Sequence, residues 1–269
     1  MALYTEFETE TSYRYLKRLI NFLNEPVCLL GGWAVYMTVN ENFKREYGRN
    51  YLGSRDIDLG FHVDRNLNED QLKNSALARS LSLLEEDGFK LLGFRYYKEI
   101  HYEAGEELTP EEAKNTPTYN IFTIYVDPVV DNIHPSFKKM FGFVPVDETL
   151  LTFVFKNRRY RRELIKLNKL LWIPSPEILI ATKIKSIPDR TKDEKLVKDL
   201  CDTYALGWYS GIALKTLKNS LQNILPSKYL EKSRNCLKEE VFKECGDVLG
   251  IDARVIKNVV YNLLTGPLP

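Results

Sequence analysis

The chain has little of what staples a small secreted domain together. Its four cysteines, Cys28, Cys201, Cys236 and Cys245, are 173, 35 and 9 positions apart, with no C-x-x-C pair. Its three histidines, His62, His101 and His134, are as scattered. Such spacing excludes a zinc-finger type of site and a disulfide framework. Glycine (14) and proline (12) are too sparse for a fibrous or linker-rich protein. The longest apolar stretch, 27–37, is 11 residues against the roughly 20 that a membrane helix needs, so no membrane partner is expected. Net charge is almost absent as well: 38 Lys and Arg stand against 37 Asp and Glu. No whole-protein field draws the chain to nucleic acid, and such a partner would have to be met by a local patch. Residues 1–12 hold three Glu and no basic side chain, unlike a secretory or mitochondrial leader, and the expected location is cytoplasmic with reduced thiols.

What is present is a globular composition, 44% hydrophobic, 28% charged and 12% aromatic, over 269 residues. At roughly 150 residues per domain that is one to two domains. Apolar positions Tyr15, Leu16, Leu19, Ile20 and Leu23 predict a helix over 13–23, ended by Pro26. A short apolar strand, 27–30, runs into Gly31-Gly32, and a helix starts at Trp33, which the neighbouring Ala34 and Val35 mark as a core anchor. The polar stretch 40–54, with Gly48 and Gly53, reads as a frayed helix end and a loop, and leads to a strand at 55–63 and a helix at 69–87. Long strands follow at 89–102 and 119–130, and in the polar connection Thr109-Pro110-Glu111-Glu112 reads as a helix start. A further strand pair, 150–155 and 164–173, flanks a basic turn. Beyond Pro174 the pattern is helical only, at 176–186, 193–206, 211–225, 227–245 and 252–264. The boundary is placed at Pro174-Ser175-Pro176, giving a catalytic domain over 1–174 and a helical domain over 175–269.

Within the strand at 55–63, Asp56-Ile57-Asp58 puts two carboxylates on one face, about 6 to 7 Å apart at Cα. Hard oxygen ligands on a rigid element suit a pair of Mg²⁺ ions. Two solvated aspartates at a strand end have the same signature, so D-x-D alone does not decide. Gly31-Gly32, between strand and helix, would let backbone N–H groups approach phosphate oxygens, or would simply form a tight turn. Neither G-x-x-x-x-G-K-[ST] nor G-x-G-x-x-G occurs, which excludes P-loop and Rossmann readings.

Taken in order, Leu30-Gly31-Gly32-Trp33-Ala34-Val35 followed by Ser54-Arg55-Asp56-Ile57-Asp58-Leu59 resembles the hallmark of the polymerase-β-like nucleotidyltransferase superfamily. The 23 residues between Gly32 and Asp56 exceed the usual spacing, as they do in toxin-like and antibiotic-modifying branches. The resemblance implies an α+β fold, a small mixed sheet flanked by helices, followed here by the helical C-terminal domain. It also implies that Gly31 and Gly32 hold an NTP triphosphate and that Asp56 and Asp58 hold Mg²⁺. A third carboxylate should come from a later strand. Asp127, closing the apolar run 121–126, is the choice, with Asp131 in reserve because Pro128 makes an unbroken central strand doubtful. Ser54 and Arg55 join the nucleotide-binding set; Arg45 and Arg49 are further phosphate candidates.

Pro174-Ser175-Pro176-Glu177-Ile178-Leu179, then Lys183, Arg190 and Lys198-Asp199-Leu200-Cys201-Asp202, is similar to the helical region of AbiEii-type nucleotidyltransferase toxins. That similarity implies that Lys183 contacts nucleotide phosphates and Asp199 helps organise the site. The plainer readings are a solvated Lys183 and an Asp199 paired with Lys195 four residues away. Finally, seven basic residues lie within 156–169 against Glu163 alone. Arg158, Arg159, Arg161 and Arg162, with Tyr160 among them, could bind an RNA backbone and stack a base, or protect a sheet edge as a solvated turn. The reading at this point is a Mg²⁺-dependent nucleotidyltransferase with a two-ion site, moving NMP from an NTP to a hydroxyl. RNA or tRNA is favoured as acceptor, and a neutralising antitoxin protein is a partner implied by the toxin resemblance. The alternatives are an antibiotic- or protein-modifying transferase and a non-catalytic nucleotide- or RNA-binding module.

Overall fold

A computed structural model describes residues 3–23, 27–166 and 169–265. The expected helix stop at Pro26 lies outside the described residues. The chain divides into two compact units, one of Tyr4–Trp33 with Gly53–Pro174, the other of Ala34–Leu52 with the segment beginning at Ser175. Ala34–Leu52 is thus separate from the unit that holds most of 1–174. The fold is α+β, with a mixed sheet flanked by helices and a helical C-terminal region. Among the described residues no helix is long and apolar enough to cross a membrane.

The sheet comprises β1 (Val27–Leu29), β2 (Asp56–Phe61), β3 (Lys90–Leu92), β4 (Arg95–His101), β5 (Ile121–Val130), β6 (Val146–Asp147), β7 (Arg161–Lys166) and β8 (Lys169–Pro174). Its order is β3-β4-β5-β2-β1-β8-β7, with β6 beside the end of β5. Parallel pairs β2/β5, β1/β8 and β5/β6 mix with antiparallel neighbours. Alternation sets the two faces. Tyr96, Lys98 and Ile100 of β4 and Phe122, Ile124 and Val126 of β5 are buried, and the residues between them are not. Helix α1 (Glu6–Phe22), begun by a Thr5/Glu8 capping box, buries Tyr15, Leu16, Leu19 and Ile20. Helix α2 (Gly31–Tyr47) leaves β1 directly.

Four local expectations in the sheet unit need correction. The helix at 69–87 is broken into α3 (Glu69–Lys73) and α4 (Ala76–Glu86), because Ser75 accepts from Ala78 N–H and caps a new start. The strand at 89–102 is the β3–β4 hairpin, turned at Gly93, whose φ is +65°. After α5 (Pro110–Asn115) and α6 (Phe137–Phe141), the strand at 150–155 is helix α7 (Leu151–Lys156), with Leu151 and Val154 buried at helical spacing. The hairpin in this region is β7–β8, and residues 167–168 lie outside the described residues. Pro128, lastly, does not interrupt β5. Asp131 N–H donates to Phe61 across β2, so by alternation the Pro128 nitrogen faces the other side, where pairing with β4 has ended at Tyr96↔Val126.

In the second unit α8 (Pro176–Ser186), α9 (Asp193–Tyr209), α10 (Leu214–Ile224), α11 (Ser227–Cys236), α12 (Glu239–Leu249) and α13 (Ala253–Leu264) pack together. Helix α9 is buried from Val197 to Gly207 and forms its centre. The helix expected over 227–245 is interrupted at Leu237.

Candidate active site

β2 and β5 are adjacent and parallel, in the register Asp56↔Tyr125 and Asp58↔Asp127. Paired residues share a face, so Asp56, Asp58, Tyr125 and Asp127 emerge together. β4 runs along the other edge of β5, and its register brings Arg95 opposite Asp127. The guanidinium spans two strands: Arg95 Nε donates to Asp127 Oδ1 at 2.7 Å and Nη2 to Asp56 Oδ2 at 2.8 Å. It also lies over the Tyr125 ring, 4.0 Å from the centroid. Burial opposes its charge, yet the two carboxylates more than offset this and hold its pKa above the ordinary arginine value.

Asp58 occupies the other side of the group, against the start of α2. Gly31 has φ +60°, and a Cβ added there would fall 1.8 Å from Asp58 Oδ2. Only glycine admits both the backbone conformation and the approach. Leu30 N–H donates to the Asp58 carbonyl at 2.9 Å, fixing the turn to β2. The carboxylate therefore sits at the positive end of a 17-residue helix. The donor set is all carboxylate oxygen, the chemistry of a hard divalent cation. As it stands, no group of three or more His, Cys, Asp or Glu among the described residues is disposed to hold a metal, and the guanidinium bridges two of these three carboxylates.

The comparisons stop short of a family. No family model and no curated protein matches the chain. Among solved structures it is similar to an antigenic nucleotidyltransferase-like protein from Paracoccidioides brasiliensis, at 16% identity and TM-score 0.40, over 94% of this chain and 92% of that one.

The other expected residues are distributed as follows. Ser54 is buried just before β2. Arg55 pairs with Glu8 of α1 at 3.2 Å and lies over Phe122, away from the carboxylates, because neighbouring residues of a strand take opposite faces. Asp131 is buried beyond β5, accepting Val63 N–H at 2.8 Å and pairing with His62 Nδ1 at 2.6 Å. Four residues of extended chain, about 13 Å, separate it from Asp127. Trp33 is buried, its indole N–H donating to Ser12 Oγ at 2.9 Å.

The four arginines of the basic segment do not form one surface. Arg158 and Arg159 are exposed in a 3-10 turn, Arg158 paired with Glu163 at 2.9 Å. Arg161 donates to the Val154 carbonyl at 2.9 Å and stacks 3.9 Å over Trp172. Arg162, next along β7, points to the opposite face, where burial lowers its pKa.

In the helical unit Lys183 and Asp199 meet. Lys183 Nζ is 2.7 Å from Asp199 Oδ1 and 2.8 Å from Asp202 Oδ2. Arg190 reaches Asp199 at 2.5 Å, Lys198 reaches Asp202 at 2.5 Å, and Tyr51 donates to Asp202 at 2.9 Å. Burial would discharge Lys183, but the two carboxylates overcome it and hold its pKa well above the usual value. Arg49 donates to the last carbonyl of α12, Leu249, at 2.5 Å, and Arg45 pairs with Glu41 on the helix surface.

Sequence reasoning missed Arg95 and Tyr125. Tyr125 had a signal, since it precedes Asp127 by two and alternation puts both on one face. Arg95 had none, because its place follows from the β4/β5 register.

Proposed function

We propose that the chain is a nucleotidyltransferase that moves NMP from an NTP to a hydroxyl acceptor and releases pyrophosphate. The observation that carries the reading is the emergence of Asp56, Asp58 and Asp127 on one sheet face beside the glycine turn into α2. Asp56, Asp58 and Asp127 would hold Mg²⁺. When bound, it would neutralise charge on the α-phosphate and the leaving group. The acceptor oxygen forms its bond to the α-phosphorus as the bond to the pyrophosphate oxygen breaks, and an Asp127 carboxylate oxygen takes the acceptor proton. Backbone N–H groups at the start of α2 would orient the triphosphate.

The favoured acceptor is RNA, supported by exposed Arg158 and Arg159 beside Tyr160. The toxin-like role and a neutralising protein partner rest on the resemblance of 174–206 alone. A non-catalytic nucleotide-binding module is the second reading, favoured by the ion pairs that Asp56 and Asp127 already make with Arg95.

The test is twofold. Thermal melts with and without Mg-NTP should show ligand stabilisation in the wild type and none in Asp56→Asn/Asp58→Asn. Incubation with each α-labelled NTP and total RNA should place label on RNA. Label on protein alone would move the acceptor to a side-chain hydroxyl. Stabilisation without any transfer would favour the binding module.

A further inference from the structure

Asp56 and Asp127 are held by one positive group, and that group belongs to the chain. A guanidinium does not give up its proton in a protein, so the charge between these carboxylates is permanent while Arg95 stays. Its fork spans both strands: Nε serves β5 and Nη2 serves β2, with the plane supported by Tyr125. A divalent cation held by either carboxylate would stand within a few ångströms of the guanidinium, and two cationic groups that close repel each other. The attachment of Arg95 is light by comparison. It follows the two-residue turn Gly93-Phe94 of a hairpin at the sheet edge, where Leu92 is 57% and Phe94 36% exposed. Arg95 lies on the face of β4 opposite Tyr96, Lys98 and Ile100 and keeps 23% of its side chain exposed, so it can turn outward without disturbing the buried face of β4.

We propose that Arg95 is a built-in counter-ion that competes with divalent cations for Asp56 and Asp127, so that a cation enters only as the guanidinium departs. The inference rests on the carboxylate reading of the preceding section. It makes Arg95 a gate on cation loading, and it separates empty and loaded states by a single side-chain movement.

The experiment titrates Mn²⁺, a paramagnetic stand-in for Mg²⁺ with the same oxygen-ligand preference. Free Mn²⁺ is read by electron paramagnetic resonance for wild type, Arg95→Gln and Arg95→Gln/Asp56→Asn/Asp127→Asn, each checked for folding by circular dichroism. Removing the competing charge should tighten Mn²⁺ binding about tenfold or more, and the triple variant should lose the gain. As a measurement that needs no variant, the Arg95 Nε–H resonance of the wild type should exchange faster with solvent when Mg²⁺ is added. Equal carboxylate-dependent affinity in wild type and Arg95→Gln would overturn the competition while leaving the cation site standing. Arg95→Gln that folds and binds no Mn²⁺ would overturn the inference together with the reading beneath it. An Arg95 Nε–H signal unmoved by saturating Mg²⁺ would also overturn the gate.

Discussion

At the scale of single residues, the tightest geometric demand falls on Gly31. Alanine there would have to adopt φ +60°, at a cost of about 1–2 kcal/mol, and its Cβ would overlap Asp58 Oδ2. Gly31→Ala should therefore lower stability by about 2 kcal/mol or more in urea unfolding, and adding Asp58→Ala should restore part of the loss, a coupling that a double-mutant cycle measures. A different demand operates at Asp199. Burial would raise its pKa, but Lys183 and Arg190 more than offset this and hold it below the ordinary carboxylate value. A depressed carboxylate stabilises the fold fully above its unfolded pKa of about 3.9, and that stabilisation is lost as pH falls through the folded value. Unfolding of wild type and Asp199→Asn should differ by about 3 kcal/mol at pH 7, and the difference should begin to shrink only below about pH 4. Residues such as Gly31 and Asp58 were legible in sequence because their chemistry and spacing are local. Arg95 and Tyr51 were not, since each becomes part of its group only through partners dozens of residues away.

At the scale of elements, strand alternation decides what the basic segment can do. Arg161 is built into the sheet unit by its bonds to α7 and its stack on Trp172, whereas Arg158 and Arg159 project from a turn. Arg161→Ala should cost about 1–2 kcal/mol of stability, from the lost stack and charge-assisted bond. Arg158→Ala/Arg159→Ala should leave the melting temperature within error and flatten the salt dependence of RNA binding, read by filter binding at two ionic strengths. The sequence reading treated these arginines as one patch because it took 150–155 for a strand. Leu151, Phe153 and Phe155 alternate like one, but Leu151 and Val154 are the buried pair and Phe153 is exposed. A six-residue apolar segment satisfies both periods, and only its packing partner selects between them. Pro128 erred in the other direction: a proline that should have ended β5 is tolerated because its nitrogen faces a side where β4 has already stopped.

At the scale of the molecule, the carboxylate group depends on a sheet closed by distant segments. Asp58 and Asp127 are neighbours across β2/β5, while Val27 and Cys28 of β1 meet Leu171 and Trp172 of β8. This is a property of topology, invisible to local pattern, although the mixed-sheet class was implied by the family resemblance that the glycine turn and D-x-D carry. It also has a kinetic meaning. Until β8 arrives, β1 is an open edge of the apolar residues Val27, Cys28 and Leu29, available to any passing strand. Contacts of such long sequence separation close slowly, because the loop entropy is lost before the pairing energy is gained. Refolding should then show a slow phase in Trp172 fluorescence, recorded with Trp33 and Trp208 replaced by Phe, lagging behind the recovery of helical circular dichroism. Coincident phases would mean that β8 docks with the rest of the sheet. A slow β8 would leave the nascent or heat-stressed chain most prone to aggregation through its own β1 edge, and chaperone dependence should track β1 rather than the helical unit.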